Sequence, residues 1–238
     1  MDMTLSAKSL LLAAGLLVPF GASAATISII DNFDGTSQRV SANPSPGLVS
    51  SSEVADGTVI GGYRDMYVTT TPPSLDTTDL RVEGGYASFS NNTFTSGLGV
   101  LVYDGLDSDA VGVNTTGLGG IDLLAGNSLS DTYFFFNVVA ADDVADVTIT
   151  VYDMVGGVST YTETLAPGFD PYLYFDLFTG TADFSNVGAL VFEIESINTA
   201  FDGALDSITV ESVPLPASAL LLAGALGGLG LARSRRKS

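Results

Sequence analysis

The sequence predicts an all-β fold, a sandwich of two sheets with jelly-roll or Greek-key connections, and three observations lead to it. Between residues 25 and 212, short runs rich in β-branched and aromatic residues recur along the chain. Clusters of Gly, Asn, Asp, Ser and Pro separate these runs, as in the loops of sandwiches. No segment of this region keeps the helical period of apolar residues over three turns. The region is expected to be one domain, with an open barrel as the alternative to the sandwich.

Each predicted strand is one of these runs between two turn clusters. The strands are expected at residues 26–30, 64–70, 79–83, 86–90, 99–103, 132–139, 146–153, 159–165, 172–175, 189–195 and 207–211. Two early segments, residues 41–52 and 69–78, are rich in Ser, Thr and Pro and are predicted to be loops. Residues 133–139 are apolar on both faces apart from Asn137, which predicts a central strand.

The hairpin near residue 156 is predicted by pattern and by turn chemistry together. Residues 146–153 alternate apolar with polar or aromatic side chains, as a strand with one buried face does. Gly156 and Gly157 follow, and paired glycines favour a tight turn into the next strand at residues 159–165.

Composition excludes several classes of function. Of the 27 acidic residues, 26 lie between residues 25 and 211, together with three of the eight basic ones, which gives this region a net charge of −23. Such a charge repels nucleic acid and anionic lipid headgroups. The chain has no His and no Cys, so Ser-His-Asp and Cys-His catalysis and HExxH zinc sites are excluded. Pairs of carboxylates that could cleave glycosides occur in any chain this acidic, and no enzyme is predicted.

Residues 1–24 have the three parts of a secretory signal peptide. A short start containing Lys8 precedes an apolar run at residues 10–20, which is too short to span a membrane in its own right. Ala22 and Ala24 then form the small-x-small pattern after which signal peptidase cuts. Export is therefore expected, and an uncleaved anchor is the alternative because the start is weakly basic.

Residues 213–238 form a short Pro-containing motif, an apolar segment and a basic tail, in that order. The apolar segment at residues 215–232 is 18 residues long without a charge, about 27 Å as a helix and long enough for a marginal membrane span. The tail at residues 233–238 contains four basic residues, and such clusters stay cytoplasmic. These membrane-orienting residues are Arg233, Arg235, Arg236 and Lys237. The preceding domain is thus expected outside the cytoplasm, with a buried helix of a soluble core as the alternative.

The tail resembles the PEP-CTERM sorting signal in its VPLPA variant, and the resemblance covers only these last 26 residues. The motif consists of Val213, Pro214, Leu215, Pro216 and Ala217. Leu215 stands where the commonest form has Glu, which leaves the processing enzyme open. The resemblance implies a Gram-negative bacterium and an exosortase-type protease that cleaves the tail. The protein would be tethered to the inner membrane until that cut releases it to the cell surface.

Four short segments of the domain resemble jelly-roll domains related to carbohydrate-binding modules. They are residues 29–34, 61–65, 183–187 and 205–208. In such domains the first and last strands are neighbours, and a calcium ion often holds them together at one end. The resemblance implies that Asp31, Asp34 and Asp206 lie near that ion.

Two further acidic clusters are alternative sites for calcium, the only cofactor expected. One consists of Asp104, Asp107 and Asp109, and the other lies in residues 142–146. Calcium takes six to eight oxygen ligands, which carboxylates supply. Neither cluster has the EF-hand spacing. For each, the other interpretation is an ordinary acidic turn.

Glycan binding relies on exposed aromatic rings with a few polar groups beside them. The chain has 9 Tyr and 13 Phe and no Trp. The candidates for contact with a glycan are Tyr63, Tyr67, Tyr172, Tyr174 and Arg64. The other interpretation is that the tyrosines pack half-buried in strands and that Arg64 forms a structural ion pair with Asp65.

Three functions therefore remain open. The first is a noncatalytic surface or matrix protein, exported by way of signal peptidase and sorted through its tail, with a structural or adhesive role in extracellular polysaccharide. The second is a carbohydrate-binding module with a specific glycan ligand, and the third is a glycoside-active enzyme. In each case membrane contact is made through the C-terminal helix and ends with processing.

Overall fold

The computed structural model describes residues 24–43, 49–71, 75–168 and 171–213. These residues form fourteen strands and three single-turn 3-10 helices, so the predicted all-β fold is confirmed. The expected signal peptide and the expected helix at residues 215–232 lie outside the described residues. In the part that is described, no helix combines the length and apolar character that a bilayer crossing requires.

Every predicted strand is present, and three more are added. The strands are β1 (Ala25–Asp31), β2 (Gln38–Ala42), β3 (Ser50–Ala55), β4 (Tyr63–Thr71), β5 (Thr78–Glu83), β6 (Tyr86–Asn91), β7 (Ser96–Tyr103), β8 (Thr132–Ala141), β9 (Ala145–Asp153), β10 (Val158–Leu165), β11 (Tyr172–Tyr174), β12 (Thr179–Gly180), β13 (Val187–Ser196) and β14 (Asp202–Ser212). The additional strands are β2, β3 and β12.

The predicted loops at residues 41–52 and 69–78 are wrong at their ends. The strands β2 and β3 occupy both ends of the first segment, and β4 and β5 occupy both ends of the second. Ser and Thr gave these ends the composition of turns, but both kinds of residue also fit a strand whose backbone is paired. The backbone pairing of β3 with β4 is therefore what makes a strand of its three consecutive serines.

Two antiparallel sheets of seven strands each face one another. Sheet 1 has the order β11-β8-β14-β6-β5-β2, with β1 also paired to β14, and sheet 2 has the order β12-β10-β9-β13-β7-β4-β3. Where the chain passes from β13 to β14, it is paired in sheet 2 to β7 and β9 and in sheet 1 to β6 and β8. Each of the two neighbours in sheet 1 is followed along the chain by one of the two neighbours in sheet 2, an arrangement typical of a jelly roll.

Aromatic side chains join the two sheets in the core. Phe134 of β8 and Phe192 of β13 meet edge to face with ring centroids 5.5 Å apart. Phe175 stacks on Phe134 at 4.8 Å and on Phe184 at 4.5 Å. Burial of such rings removes a large apolar area from water and so stabilises a domain that has no disulfides.

One charged side chain lies at the centre of this apolar interior. Arg64 of β4 has no solvent exposure, and its Nη1 donates to Asp31 Oδ2 of β1 over 2.7 Å. Its Nε donates to Gln38 Oε1 of β2 over 2.9 Å, and its Nη2 donates to the Thr36 carbonyl over 2.5 Å. Asp56 Oδ2 lies 3.4 Å from the same Nη2. We refer to Arg64 with these partners as the arginine network.

The partners of the arginine network are themselves fixed by further bonds. Tyr103 of β7 donates its hydroxyl to Asp31 Oδ2 over 2.9 Å, and the backbone N–H of Phe33 donates to Asp31 Oδ1 over 2.7 Å. Burial and the neighbouring carboxylate of Asp31 raise the pKa of Tyr103 well above its usual value, so its hydroxyl remains a donor. The network therefore ties β1 and β2 of sheet 1 to β4 and β7 of sheet 2.

Substitution of the central arginine tests this arrangement. Arg64→Ala leaves the Asp31 carboxylate buried without its cation, and we expect the free energy of unfolding to fall by about 3–5 kcal/mol. The matched control is Arg39→Ala, because Arg39 forms an exposed pair with Asp79 at 2.9 Å. That change is expected to cost less than about 1 kcal/mol. Urea unfolding of the full chain followed by circular dichroism measures both, and equal losses would contradict the role assigned to Arg64.

Candidate functional site

The outward face of sheet 1 carries a group of aromatic side chains. In the pairing of β8 with β11, Phe134 lies opposite Leu173, and both point into the core. Successive residues of a strand point to opposite faces, so the flanking residues point outward. These four residues are Tyr133, Phe135, Tyr172 and Tyr174, and we call them the aromatic patch.

The rings of the aromatic patch contact one another, and one of them is open to solvent. Tyr172 is 51% exposed and lies 5.2 Å from Phe135 and 5.3 Å from Tyr133, measured between ring centroids. Tyr133 lies beneath, 5.1 Å from the ring of Tyr174. Its hydroxyl donates to Glu211 Oε2 over 3.2 Å, and burial and this carboxylate raise the pKa of Tyr133. The patch is thus a packed group of aromatic rings with Tyr172 open to solvent and an acidic group at its margin.

Polar groups continue from the patch along β8 and β14. Asn137 donates to Asp206 Oδ2 over 2.9 Å, and Thr209 donates to Glu211 Oε1 over 3.2 Å. Side-chain carboxylates and amides of this kind bind hydroxyl groups through hydrogen bonds. The row ends at Val139, which is 54% exposed.

A shallow groove opens on the same face beyond Val139. It has a volume of about 440 Å³ and is lined by Arg81, Glu83, Tyr86, Ser88, Val139 and Ala204. Tyr86 is 45% exposed, and Arg81 pairs with Glu83 across 3.3 Å at the surface. Beyond the aromatic patch, the groove therefore adds a further exposed ring, Tyr86, with the guanidinium of Arg81 and the carboxylate of Glu83 beside it.

Taken together, the face combines apolar rings with hydrogen-bonding groups along an open track. Binding sites for small molecules commonly consist of such apolar surface with a few placed polar groups.

The residues predicted to contact a glycan do not lie together. Tyr172 and Tyr174 belong to the aromatic patch of sheet 1, whereas Tyr63 and Tyr67 are half-buried on β4 of sheet 2. The prediction for Arg64 requires correction, because its side chain is buried in the arginine network and does not reach the surface. The alternative ion pair with its neighbour Asp65 is wrong as well, since adjacent residues of a strand point to opposite faces.

The terminal strands are neighbours as expected, with Asp31 opposite Ile208 in the pairing of β1 with β14. Two of the three aspartates expected to bind calcium there have other partners, and the third lies exposed. Asp31 is the buried partner of Arg64, Asp34 is exposed, and Asp206 accepts from Asn137. Because a guanidinium already occupies the Asp31 carboxylate, these residues do not fit a calcium ion between the terminal strands.

The cluster at residues 142–146 forms ordinary turn and strand contacts. Asp142 accepts the backbone N–H of Asp202 over 2.8 Å, Asp143 accepts from Asn198 over 3.0 Å, and Asp146 accepts from Thr164 over 2.5 Å. Of the cluster that follows β7, Asp109 accepts the backbone N–H groups of its own turn. Its companions Asp104 and Asp107 lie elsewhere and are described below.

Two of the four residues of the aromatic patch, Tyr133 and Phe135, were not among the residues predicted to contact a glycan. The central position predicted for the strand at residues 133–139 is confirmed, because β8 lies between β11 and β14. Its second apolar face was not recognised as the outward face of the sheet, where Tyr133 and Phe135 join the aromatic patch. The sequence did contain an indication of this. The outward positions of the strand are aromatic, whereas a strand buried on both faces is usually rich in Val and Ile. Arg81 and Tyr86 lie on strands that were predicted, but only the order of the strands in sheet 1 places them in one groove with Val139 of β8 and Ala204 of β14.

No protein-family model matches the chain, and no curated protein gives a significant match. Among solved structures, PfGH50B is similar over 62% of this chain and 23% of its own length, with 9% identity and a TM-score of 0.39. The chain thus corresponds to about a quarter of that protein. The family 11 carbohydrate-binding module of Clostridium thermocellum is similar over 77% of this chain and 94% of its own, with 15% identity and a TM-score of 0.38.

A family 22 carbohydrate-binding module of Clostridium thermocellum Xyn10B is also similar. It covers 78% of this chain and 93% of its own length, with 11% identity and a TM-score of 0.26. Values in this range do not transfer a ligand to the chain.

Proposed function

We propose that this protein is a noncatalytic carbohydrate-binding protein of the cell exterior, which holds polysaccharide on the outward face of sheet 1. The observation that carries the proposal is the aromatic patch, with Tyr172 half exposed beside hydrogen-bonding groups. The groove at Tyr86 extends the same surface, so several sugar units of one chain can be contacted at once.

The exposure of apolar groups on this face calls for a ligand. Four of its side chains are each about half exposed, namely Ile29, Tyr86, Val139 and Tyr172. Large apolar side chains left exposed together on one face of a domain mark an interaction site. The polar groups within it favour a ligand with many hydroxyls over another protein core.

We also propose that the domain reaches the cell exterior through its two ends, by signal peptidase and an exosortase-type protease. Ala25 lies opposite Ser212 in the pairing of β1 with β14, so the segments outside the domain leave from neighbouring strands. Cuts after Ala24 and within the motif at residues 213–217 leave all fourteen strands intact. The structural or adhesive role in extracellular polysaccharide then follows from the binding face.

Removal of the exposed ring tests the binding face. Tyr172→Ala and Tyr86→Ala are each expected to weaken binding about tenfold, a loss of about 1.4 kcal/mol, because each removes one stacking surface. The matched control is Tyr63→Ala on sheet 2, which is expected to leave binding unchanged. A glycan array identifies the ligand for the full chain, and affinity electrophoresis in a gel containing it compares the variants.

Two results would contradict this proposal. One is that the wild-type chain binds neither any glycan of the array nor any of the matrix polysaccharides tested. The other is release of reducing ends from the bound polysaccharide, which would make the protein an enzyme.

Processing is tested on the protein from the native extracellular fraction. Mass spectrometry is expected to show a chain that begins at Ala25 and ends within or near residues 213–217, because both cleavages flank the folded domain. Pro214→Ala with Pro216→Ala should keep the chain in the membrane fraction, whereas Pro167→Ala, in the turn after β10, should leave its release unchanged. An extracellular chain that is intact through Ser238 would rule out sorting by cleavage.

A further inference from the structure

The outward face of sheet 2 brings together four carboxylates from distant parts of the chain. Glu53 of β3 lies opposite Asp65 of β4, and Asp65 lies opposite Val102 of β7. Asp104 and Asp107 follow directly after β7. The carboxylate oxygens of Glu53, Asp65 and Asp107 come within 4.8 Å of one another, and they form the group of three acidic side chains at this spacing among the described residues.

The central member of this cluster is buried without a hydrogen-bond donor. Asp65 has no solvent exposure, and neither of its carboxylate oxygens has a hydrogen-bond partner. Asp104 is equally buried, with Oδ2 accepting the N–H of Asn114 over 2.7 Å and Oδ1 left without a partner. A buried carboxylate that lacks a partner is costly, so these three oxygens on two adjacent carboxyl groups require either a shared proton or a cation between them.

No side chain of the described residues supplies that cation. The three arginines pair elsewhere, Arg64 with Asp31 and Asp56 in the core, Arg39 with Asp79 and Arg81 with Glu83 at the surface. The carboxylate oxygens of Glu53, Asp65 and Asp107 lie within 4.8 Å of one another, so their negative charges repel. Repulsion among these groups is what a bound cation would relieve.

We propose that Glu53, Asp65, Asp104 and Asp107 bind a calcium ion. Calcium prefers six to eight oxygen ligands and accepts irregular geometry, which suits carboxylates from two strands and a loop. Magnesium keeps several of its waters and demands an octahedron, a poor match to an oxygen set that includes two fully buried side chains. Copper, zinc and nickel favour His and Cys ligands, and the chain has neither.

The ion would hold the segment after β7 against sheet 2. This segment carries Val113, which packs on a small apolar cluster of Val100, Val102 and Val191 outside the main core. Glu53 already accepts the N–H of Ser108 over 2.8 Å, so the first turn of the segment is fastened to β3. The ion would link Glu53 and Asp65 of the two strands to Asp104 and Asp107 of the segment. Its loss is expected to loosen residues 104–113.

Calcium binding is measured on the full chain in mild nonionic detergent after removal of metal by a chelator. Calorimetric titration with CaCl₂ at low salt is expected to show one saturable site with a dissociation constant at or below about 1 mM, as in extracellular calcium modules. At a hundredfold excess over that constant, the melting temperature should rise by about 5–10 °C.

Two variants and a matched control locate the site. Asp65→Asn and Asp104→Asn should each abolish the calcium-induced rise, while Asp65→Asn relieves repulsion and should melt no lower than the metal-free wild type. Asp109→Asn lies in the same loop outside the cluster and should keep the full response. Terbium can replace calcium as a luminescent probe. Tyr63 and Tyr67 lie two residues before and after Asp65, about 7 Å away along β4 and on the same face, so they can transfer excitation energy to the ion. Terbium luminescence is expected in the wild type and should be lost in Asp65→Asn.

The proposal is overturned if calcium produces neither heat nor a shift in melting temperature, which would mean that the carboxyl groups share a proton. It is also overturned if Asp65→Asn and Asp104→Asn still bind calcium, because the ion then lies elsewhere. Should either variant fail to fold, Asp107→Asn takes its place, because Asp107 is only half-buried. Asp107→Asn is then expected to lose the calcium-induced rise in melting temperature, and a full rise would overturn the proposal. Glycan binding on sheet 1 is measured separately, so failure of one proposal leaves the other standing.

Discussion

The buried guanidinium of Arg64 is the constraint on which the arrangement of this domain depends. A charge in an apolar core is tolerated only when its partners are fixed in place, and here they come from β1, β2 and the loop that contains Asp56. A shift of β4 by one residue would turn Arg64 to solvent and Asp65 into the core. The arginine network therefore sets the register of β4, and with it the direction in which every side chain of that strand points.

This register divides the chemistry of the molecule between its two outer faces. With Arg64 directed inward, Asp65 must point outward, where Glu53 and the segment after β7 join it. In sheet 1, the inward Phe134 of β8 fixes the outward direction of Phe135 by the same alternation. The aromatic patch thus lies on one outer face and the cluster of four carboxylates on the other, and in both cases the outward direction is set by burial of the adjacent residue in the strand.

The sequence was sufficient for the fold class and for eleven of the fourteen strands, because alternation and turn chemistry are local. The hairpin of β9 and β10 at Gly156 and the run of β8 were both visible in short windows. The strands β2 and β3 were missed because Ser-rich segments resemble loops until a partner strand pairs with them. The candidate sites depend on pairings between distant residues, such as Glu53 with Asp65 and Phe135 with Tyr172, and no local pattern specifies those.

The charge of the domain limits what its binding face can hold. With a net charge of −23 between residues 25 and 211, the domain repels anionic chains such as uronate-rich polysaccharides. The two exposed arginines do not offset this charge, since Arg39 pairs with Asp79 and Arg81 pairs with Glu83. A neutral polysaccharide, held by ring stacking on Tyr172 and Tyr86 and by hydroxyl hydrogen bonds, meets no such repulsion. The acidity that makes a bound cation favourable on sheet 2 therefore also selects for an uncharged ligand on sheet 1.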